Sequence, residues 1–390
     1  MKKVLVRGPL LSQSGYGEHS RQVYQFCDSQ KDWEVTTQVL GWGITGWCVN
    51  DEMEGGLYGR IMSKSSPITE KFDITFQIQL PNEWDPNLGL FNVGVTAGVE
   101  TDRCPIDWAT THREKMDLVI VPSAHTRSGF TAAGTGRENT PIKIIPESYF
   151  EEILKEPESD LLKDLPTSNN FLLVGTLISD RPEDDRKNIV ATIRWFMESF
   201  HESDDVGLVI KTSRGRDTAI DREVVRRMLK NIKSSLLVKF PPKIYMLHGS
   251  MTREEMTSLY KSPKTLALIS ATRGEGFGLP MIEAAVAGLP VVATDWSAHT
   301  EFLSGTSFLD VSYDLIQIPG SRADGKIFAK GSKWAEAREG NFKKKLVRCL
   351  RNKESLKKSA KQLASELQES HSLKNIFTRY EKVMKKALEK

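Results

Sequence analysis

Short apolar runs alternate with amphipathic stretches along most of the chain. The first part carries such runs at 3–6, 34–40, 73–80, 90–97, 117–122 and 142–145. The second part carries them at 171–177, 206–211, 244–248 and 265–270, separated by helical patterns at 187–200, 221–234 and 252–260. Apolar runs of this length between turn residues are typical of buried strands. Strands that alternate with helices in this way predict parallel sheets with right-handed crossovers, and therefore an α/β protein.

The two series are separated by residues 146–170, which are rich in Glu, Asp, Lys, Pro and Ser. This composition is typical of a linker, and 390 residues suffice for two domains with separate cores. We therefore predict an N-terminal domain of residues 1–160 and a second domain of residues 168–370. From residue 334 onward the composition is helical, and the last helix presents one apolar stripe formed by Ile376, Tyr380, Val383 and Ala387.

Composition limits the class of protein. Hydrophobic residues at 39% and charged residues at 27% are typical of a soluble globular protein, and no apolar run approaches the ~20 residues of a membrane span. The first residues, MKKVLVRGPLLSQ, lack the apolar core of a signal peptide, so we expect a cytoplasmic protein. The cysteines are scattered, which favours buried free thiols over a disulfide framework or a zinc site. A net charge of +3 does not by itself imply a nucleic-acid partner.

The most informative stretch is TRGEGFGLPMIEAAVAGLPVVAT, residues 272–294. It predicts a glycine-rich loop at 273–278, a helix that Pro280 opens and Gly288 ends, and a strand at 289–293. Backbone N–H groups and the helix dipole favour an anion, such as a phosphate, at a helix N-terminus. Glu275 and Glu283 flank that position. The alternative is an ordinary α/β connection with solvated glutamates.

The spacing Glu275-x7-Glu283, within EGFGLPxxEAxxAGxPVVAT, resembles the signature of retaining glycosyltransferases of the GT-B fold, family 4. The resemblance implies two Rossmann-like parallel-sheet domains that face a cleft, with a C-terminal helix, about residues 372–390, that crosses back to the N-terminal domain. It also implies that Glu275 contacts hydroxyls of the donor sugar and that Glu283 holds the ribose. The diphosphate would be bound by the backbone of Gly276, Phe277, Gly278 and Leu279.

The segment GTLISDRPEDDRKN, residues 175–188, lies between a strand and a helix and carries cations that can neutralise a departing diphosphate. Lys187 matches the lysine of the resembled family, whereas Thr176 stands where the family has an arginine. Three residues are candidates for the missing charge: Arg181, Arg186 and Lys211. We predict that Lys187, Arg186 and Glu275 are catalytic. The alternative is a solvated charge run whose acidic and basic residues pair with each other.

Further site residues follow from the ends of predicted strands. Lys211 ends one strand, and His248 precedes a glycine turn where relatives hold the nucleobase, so both are predicted donor contacts. Gly15 and Gly17 follow the first strand and are predicted to lie near the donor phosphates, although a plain tight turn is the alternative. The candidate acceptor contacts are Tyr16, Glu100 and Thr101.

Two groups of distinctive residues lie outside these motifs. Trp42 and Trp47 sit among glycines, where they can stack on sugars or anchor a loop or core. The segment TDWSAHTEFL departs from the family pattern at Trp296, Ser297 and His299, which we expect to border the sugar or the diphosphate.

The resemblance implies retaining transfer of a sugar from a UDP- or GDP-linked donor to a glycan or other hydroxyl acceptor. It implies no metal and no cofactor beyond the donor substrate, and the sequence has no convincing metal-binding pair such as Asp-x-Asp. Two alternatives remain open at this point. The basic helices around KKKLVRCLRNKESLKKSAK favour a transferase acting on modified DNA bases, or contact with an anionic membrane. Thr176 favours a non-catalytic GT-B subunit that assists a partner transferase.

Overall fold

The computed structural model describes residues 1–134, 140–177, 181–202 and 204–389. The chain forms two compact units. The first consists of Met1–Ser148, Ala323–Ser332 and Leu373–Lys390, and the second of Tyr149–Arg322 and Lys333–Ser372. Each unit contains a six-stranded parallel sheet flanked by helices, which confirms the predicted α/β class.

The sheet of the first unit has six strands: β1 (Lys2–Gly8), β2 (Trp33–Val39), β3 (Phe72–Ile78), β4 (Gly89–Val95), β5 (Leu118–Val121) and β6 (Ile142–Ile144). Within the described part of residues 1–148, the α-helices that accompany these strands are α1 (Gly15–Asp28), α2 (Met53–Ser63) and α3 (Ala124–Ala133). The strands lie in the order β2-β1-β3-β4-β5-β6. Because β2 and β3 lie on opposite sides of β1, the chain changes direction across the sheet between β1 and β3. Crevices at such points, outside the carboxyl ends of the strands, are where α/β sheets bind ligands.

The sheet of the second unit also has six strands: β7 (Asn169–Val174), β8 (Val206–Thr212), β9 (Lys243–His248), β10 (Thr265–Ser270), β11 (Val291–Thr294) and β12 (Phe308–Val311). Its six helices are α4 (Ile189–Ser199), α5 (Ala219–Ser234), α6 (Arg253–Lys261), α7 (Leu279–Val286), α8 (Glu339–Arg351) and α9 (Lys353–Ser370). A separate antiparallel pair is formed by β13 (Tyr313–Gln317) and β14 (Lys333–Ala337). The main sheet has the order β12-β11-β10-β7-β8-β9, so its change of direction falls between β7 and β10.

Local sequence explains where the helices of the second unit begin. At the start of α5, the Thr218 hydroxyl accepts a hydrogen bond from Asp221 N, and the Asp221 carboxylate accepts one from Thr218 N. Thr252 and Glu255 form the same reciprocal cap on α6. Such capping boxes satisfy N–H groups that the helix itself cannot pair. Both helices then bury an apolar stripe against the sheet.

The last helix, α10 (Leu373–Leu388), packs onto the core of the first unit. Ile376, Tyr380 and Met384 are buried there, and Tyr380 stacks on Phe26 of α1 with ring centroids 4.9 Å apart. This helix therefore returns to the N-terminal unit, as the resemblance implies. Among the described residues, no helix combines the length and the apolar character needed to cross a membrane.

We expect Ile376→Ala to destabilise the first unit by about 2–4 kcal/mol, because it leaves a cavity between α10 and the sheet. Lys382→Ala is the matched control, since Lys382 lies on the exposed face of the same helix. Denaturant unfolding followed by circular dichroism measures both. Equal midpoints for the two variants would contradict the packing described for α10.

Candidate functional site

The loops that follow β7 and β10 diverge at the change of direction in the second unit. β7 and β10 are paired in parallel, so both loops leave the same edge of the sheet. The first loop carries Arg186 and Lys187, and the second carries the glycine-rich segment around Glu275. The sheet topology therefore brings together two segments that lie 88 residues apart in the sequence.

Glu275 is the centre of this cluster, and its carboxylate is buried, with 5% of the residue exposed. Lys187 Nζ lies 2.7 Å from both carboxylate oxygens. Arg186 Nη1 lies 3.4 Å from Oε2, and the Thr272 hydroxyl donates a hydrogen bond of 2.8 Å to Oε1. The structure thus brings together the three residues predicted to be catalytic.

The charge state of Glu275 follows from these neighbours. Burial alone raises the pKa of a carboxyl, but Lys187 and Arg186, with hydrogen bonds from Lys187 and Thr272, lower the pKa of Glu275 to about 2. The carboxylate is therefore ionised at neutral pH. The carboxylate holds Lys187 and Arg186 at the edge of the sheet. An anionic ligand that binds there can replace Glu275 as the partner of these two cations.

Arg273 fixes the loops that carry these residues. Its guanidinium pairs with Glu336 of β14 at 2.6 Å, donates to Asp185 O at 2.9 Å and also bonds to Pro182 O. It lies over the ring of Trp334, with the guanidinium carbon 5.2 Å from the centroid. A planar guanidinium can donate from several nitrogens and stack on an aromatic ring at the same time, which a lysine ammonium cannot do. Arg273 therefore ties the glycine-rich loop to both the β13–β14 pair and the segment preceding Lys187.

The Asp185 side chain caps the N-terminus of α4. Its carboxylate accepts hydrogen bonds from Ile189 N at 2.5 Å and Val190 N at 3.2 Å. Burial raises the pKa of Asp185, against the effect of these bonds and of the nearby arginines. Because the carboxylate satisfies the first turn of α4, Lys187 and Arg186 lie on a loop whose downstream end is rigid.

A chain of hydrogen bonds supports Glu275 from the other side. Glu275 N donates to Ser297 Oγ at 2.9 Å, Ser297 Oγ lies 3.4 Å from His299 Nδ1, and His299 Nε2 lies 2.7 Å from Thr294 O. Burial lowers the pKa of His299, so the ring is neutral, with Nε2 donating and Nδ1 accepting. Ser297 and His299 therefore lie beside the site, where they hold the backbone of Glu275 in place.

Ser297 adopts a backbone conformation that favours glycine, with φ of +84°. A side chain with Cβ is strained there at a cost of about 1–3 kcal/mol. The bond from Glu275 N to the serine hydroxyl offsets part of this cost. Strain is thus retained at a position that orients the central carboxylate.

The glycine-rich loop leads into α7 as predicted. Gly278 has φ of +107°, which only glycine adopts readily, and Pro280 lies in the first turn of the helix. The Phe277 side chain is buried against Phe302, with ring centroids 5.2 Å apart, so any ligand contact of Phe277 is through its backbone. A small pocket beside this helix start is lined in part by Lys187, Glu275 and Gly278.

The other predicted donor residues lie along the same edge of the sheet. Glu283 accepts a hydrogen bond of 2.8 Å from the Tyr260 hydroxyl. Lys211 is partly buried at the end of β8, and burial lowers its pKa, while the nearby carboxylates of Asp217, Glu255 and Glu283 oppose that effect. His248 lies at the end of β9, 4.0 Å from Asp217 Oδ1, and within the described residues its buried Nε2 has no hydrogen-bond partner.

The position of Arg186 indicates which candidate supplies the positive charge that is missing at Thr176. The Thr176 hydroxyl lies 3.2 Å from Ser213 Oγ and supplies no charge. Among the three candidates, Arg186 is the one with a described ion pair to Glu275. Its guanidinium also donates to Gly274 O, which holds it against the glycine-rich loop.

In the first unit, the glycines after β1 are explained by packing. A Cβ at Gly17 would lie 2.0 Å from Ser12 O, and Gly17 N donates to the Ser14 hydroxyl at 3.1 Å. Gly15 is the first residue of α1. The geometry at Gly17 therefore fits the tight-turn alternative as well as a ligand contact.

The three candidate acceptor residues have different environments. Tyr16 is partly buried; its hydroxyl lies 2.8 Å from Thr96 Oγ1 and accepts a hydrogen bond from Ala97 N at 3.1 Å. Thr101 is buried and donates to Arg103 O at 2.8 Å. Glu100 is partly exposed in the segment after β4. Tyr16 and Glu100 are therefore more accessible to a ligand than Thr101.

Comparison with known proteins shows what parts of the chain are similar to. Residues 228–305 match the family model described as "Glycosyl transferases group 1". The serotype-specific mannosyltransferase WbdA of Escherichia coli is 32% identical over 159 residues, which are 39% of this chain and 17% of that protein. The chain thus spans about a sixth of the length of the curated relatives it matches. The predicted resemblance to group 1 glycosyltransferases is confirmed over the matched segment.

Solved structures extend the likeness of fold to almost the whole chain. A glycosyltransferase from Rickettsia africae has a TM-score of 0.66 at 14% identity, covering 99% of this chain and 98% of that one. HepE from Anabaena, solved with UDP and glucose, has a TM-score of 0.62 at 13% identity, covering 99% of this chain and 100% of that one. The fold class is therefore GT-B, as predicted.

Several residues that support the site were not predicted. Arg273 is the first residue of the glycine-rich loop, so its place in the motif was a usable signal. Glu336 and Tyr260 lie on distant elements, and no local pattern connects them to Glu275 or Glu283. Thr272 ends a buried apolar run and gave no sign that its hydroxyl serves the carboxylate.

Lys187→Met is expected to raise the pKa of Glu275, since burial then acts on a carboxylate with one cation fewer. The native pKa of about 2 lies below the ordinary value of 4.5, so this group stabilises the fold fully above pH 4.5. That contribution is lost as the pH falls from 4.5 to 2. The variant should therefore show a shallower decline in the free energy of unfolding across this interval.

Denaturant titrations at several pH values measure this slope. Lys358→Met, at an exposed position of α9, should keep the native slope. Identical slopes in both variants and the native protein would mean that Lys187 does not hold the pKa of Glu275 down.

Substitutions at Ser297 separate backbone strain from hydrogen bonding. Ser297→Ala and Ser297→Gly both lose the bond to Glu275 N, but only alanine keeps a strained Cβ at positive φ. We expect alanine to be less stable than glycine by about 1 kcal/mol in thermal unfolding. Ser365→Ala, on the exposed face of α9, serves as a control. An alanine variant as stable as the native protein would refute the role given to Ser297.

Proposed function

We propose that this protein is a glycosyltransferase that moves a sugar from a nucleoside diphosphate sugar to a hydroxyl acceptor, with retention of configuration and without a metal ion. The observation that carries the proposal is the convergence of Lys187 and Arg186 on buried Glu275, beside the glycine-rich start of α7. The match of residues 228–305 to group 1 glycosyltransferases supports the same conclusion.

The cations suit the leaving group. Negative charge builds on the diphosphate as the bond to the sugar breaks, and preorganised cations in a buried site stabilise that charge without reorganisation. Lys187 and Arg186 are held in advance by Glu275, and the N-terminus of α7 adds backbone donors and a favourable dipole. These groups take the role that a metal ion has in other transferases.

Glu275 has a second role in this proposal. When the diphosphate pairs with Lys187 and Arg186, the carboxylate can accept hydrogen bonds from hydroxyls of the donor sugar and orient the ring. Glu283 is assigned to the ribose, Lys211 and His248 to the far side of the nucleotide, and Gly276–Leu279 to the diphosphate. We assign no general base, because in retaining relatives the donor phosphate is thought to accept the proton of the acceptor.

The donor sugar is proposed to be mannose. WbdA, the curated relative, is a mannosyltransferase, although only 17% of it is covered. HepE, which shares the fold, was solved with UDP and glucose, which supports uridine as the nucleoside. Guanosine is the alternative that the sequence resemblance leaves open. A screen of GDP-mannose, UDP-glucose and UDP-N-acetylglucosamine, scored by release of the nucleoside diphosphate, distinguishes these donors.

Glu275→Gln and Lys187→Ala should each lower turnover by about 100-fold or more. The first weakens the acceptor that orients the sugar and holds the two cations, and the second removes a cation placed for the departing diphosphate. Nucleotide release with the donor chosen by the screen is the measurement. Glu254→Gln, on the exposed first turn of α6, should retain native turnover. Native turnover in both Glu275→Gln and Lys187→Ala, in folded proteins, would reject the site.

A non-catalytic subunit of the same fold is the second candidate, favoured by Thr176. The ion pair between Arg186 and Glu275 argues against a non-catalytic subunit, because Arg186 supplies the positive charge that Thr176 lacks. Isothermal titration with the three nucleotide sugars separates the candidates. Binding of none of them would favour the non-catalytic subunit.

Action on DNA or contact with an anionic membrane stays a prediction from the basic helices. Part of that charge is used within the fold, since Lys343 pairs with Glu198 and Glu339, and Lys345 pairs with Asp310. Affinity for DNA that falls steeply with salt would support the DNA alternative.

A further inference from the structure

A second chemically distinctive surface lies in the first unit, in the loop that follows β2. We call residues 41–50, GWGITGWCVN, the tryptophan loop. Ile44 is 76% exposed, Val49 is 66% exposed and Trp47 is 46% exposed. Large apolar side chains exposed together are typical of binding surfaces, whereas single ones are ordinary.

The tryptophan loop is held firmly against the segment that follows β1. Gln13 N donates to Gly46 O at 3.0 Å, and Cys48 N donates to Leu11 O at 2.8 Å. The hydroxyls of Ser12 and Thr45 lie 2.8 Å apart. An exposed loop with this many links is preorganised, so it loses little conformational entropy when a ligand binds.

Trp42 is partly exposed, and its ring is supported by a tyrosine. Its ring stacks on Tyr16 with centroids 4.0 Å apart and an interplanar angle of 23°. Tyr16 is in turn fixed by its bonds to Thr96 and Ala97, as described above. The glycines on either side of Trp42, Gly41 and Gly43, are exposed.

The charge around the loop indicates the kind of ligand. Residues 41–54 contain Asp51, Glu52 and Glu54 and no lysine or arginine. An anionic lipid surface would be repelled by these carboxylates, since recruitment to such surfaces relies on clustered cations. Tryptophan faces beside exposed Asn50, Asp51 and Glu52 suit a neutral polyhydroxylated ligand, which offers apolar ring faces and many hydroxyl donors.

We propose that the tryptophan loop is a saccharide-binding platform, on which Trp42 and Trp47 stack against sugar rings of a glycan acceptor. The proposal rests on the proposed function and deepens it by naming a glycan as the acceptor. The loop lies after β2, next to β1, where the first sheet changes direction between β1 and β3. Binding by the platform needs no nucleotide, and this makes it testable separately from transfer.

The test is titration of the full chain with α-linked mannotriose in the absence of nucleotide. Saturation-transfer NMR and calorimetry measure binding, with maltotriose and cellotriose as further probes. Trp47→Ala and Trp42→Ala should each weaken the preferred trisaccharide at least fivefold, while Trp47→Phe keeps an aromatic face and should recover part of the affinity. Because Trp47 is already half exposed, its replacement should leave the thermal midpoint almost unchanged.

Phe240→Ala is the matched control, because Phe240 is an aromatic residue of the second unit that is 42% exposed. It should bind the trisaccharide as the native chain does. The proposal is overturned if the native chain binds none of the three trisaccharides, if the tryptophan variants keep native affinity, or if Phe240→Ala loses as much. Trp47-dependent binding to phosphatidylglycerol vesicles without saccharide binding would also overturn it, in favour of a lipid surface.

Failure of the proposed function gives a different result. If no donor releases nucleotide but trisaccharide binding still depends on Trp42 and Trp47, the platform stands and the transferase assignment falls. If donors are turned over but trisaccharide binding ignores both tryptophans, the transferase assignment stands and the platform falls.

Discussion

The arrangement of the site depends on the burial of one carboxylate. Glu275 lies at the carboxyl edge of a parallel sheet with almost no solvent contact, and an unpaired ion there would cost several kcal/mol. Lys187 and Arg186 meet that demand, and they can do so because β7 and β10 are neighbours in the sheet. The need to compensate one buried charge therefore fixes two cations at the point where the sheet topology opens a crevice.

The surrounding interactions keep that arrangement rigid. Arg273 joins the glycine-rich loop to β14 and to the segment before Lys187, while the chain from Ser297 to His299 supports the backbone of Glu275. In the first unit, Tyr16 supports Trp42 in a comparable way, because the hydrogen-bonded tyrosine ring stacks on the tryptophan ring. Both units thus place preorganised groups at the carboxyl ends of their strands, where ligand binding requires little rearrangement.

The sequence is sufficient to predict a helix or strand where a local pattern decides the structure. The apolar run at 265–270 coincides with β10, because a short run between turn residues has few alternatives in an α/β chain. Helix α1 begins at Gly15, because the Ser14 side chain caps it, although two glycines after a strand are more typical of a turn. Helix α2 was not predicted, because the glycines near its start make the segment resemble a loop. In the structure, the residues Glu54–Gly56 have positive φ.

The site was predictable only in part. The family resemblance selected Lys187 and Glu275, and the structure places them together, but Arg273 and Glu336 pair across 63 residues and share no motif. The backbone strain at Ser297 also has no sequence signature, because serine tolerates many conformations. Contacts that depend on which strands become neighbours therefore had to come from the structure.

The most direct test of the proposed site is how much more tightly the protein binds a nucleoside diphosphate than the nucleoside alone. Isothermal titration compares guanosine with GDP, and uridine with UDP, in the native protein and in Lys187→Met. We predict that the preferred diphosphate binds the native protein at least tenfold more tightly than its nucleoside, and that this advantage is largely lost in the variant. An equal advantage in both proteins, or no binding of either diphosphate, would contradict the assignment of Lys187, Arg186 and Glu275 to a nucleotide-sugar site.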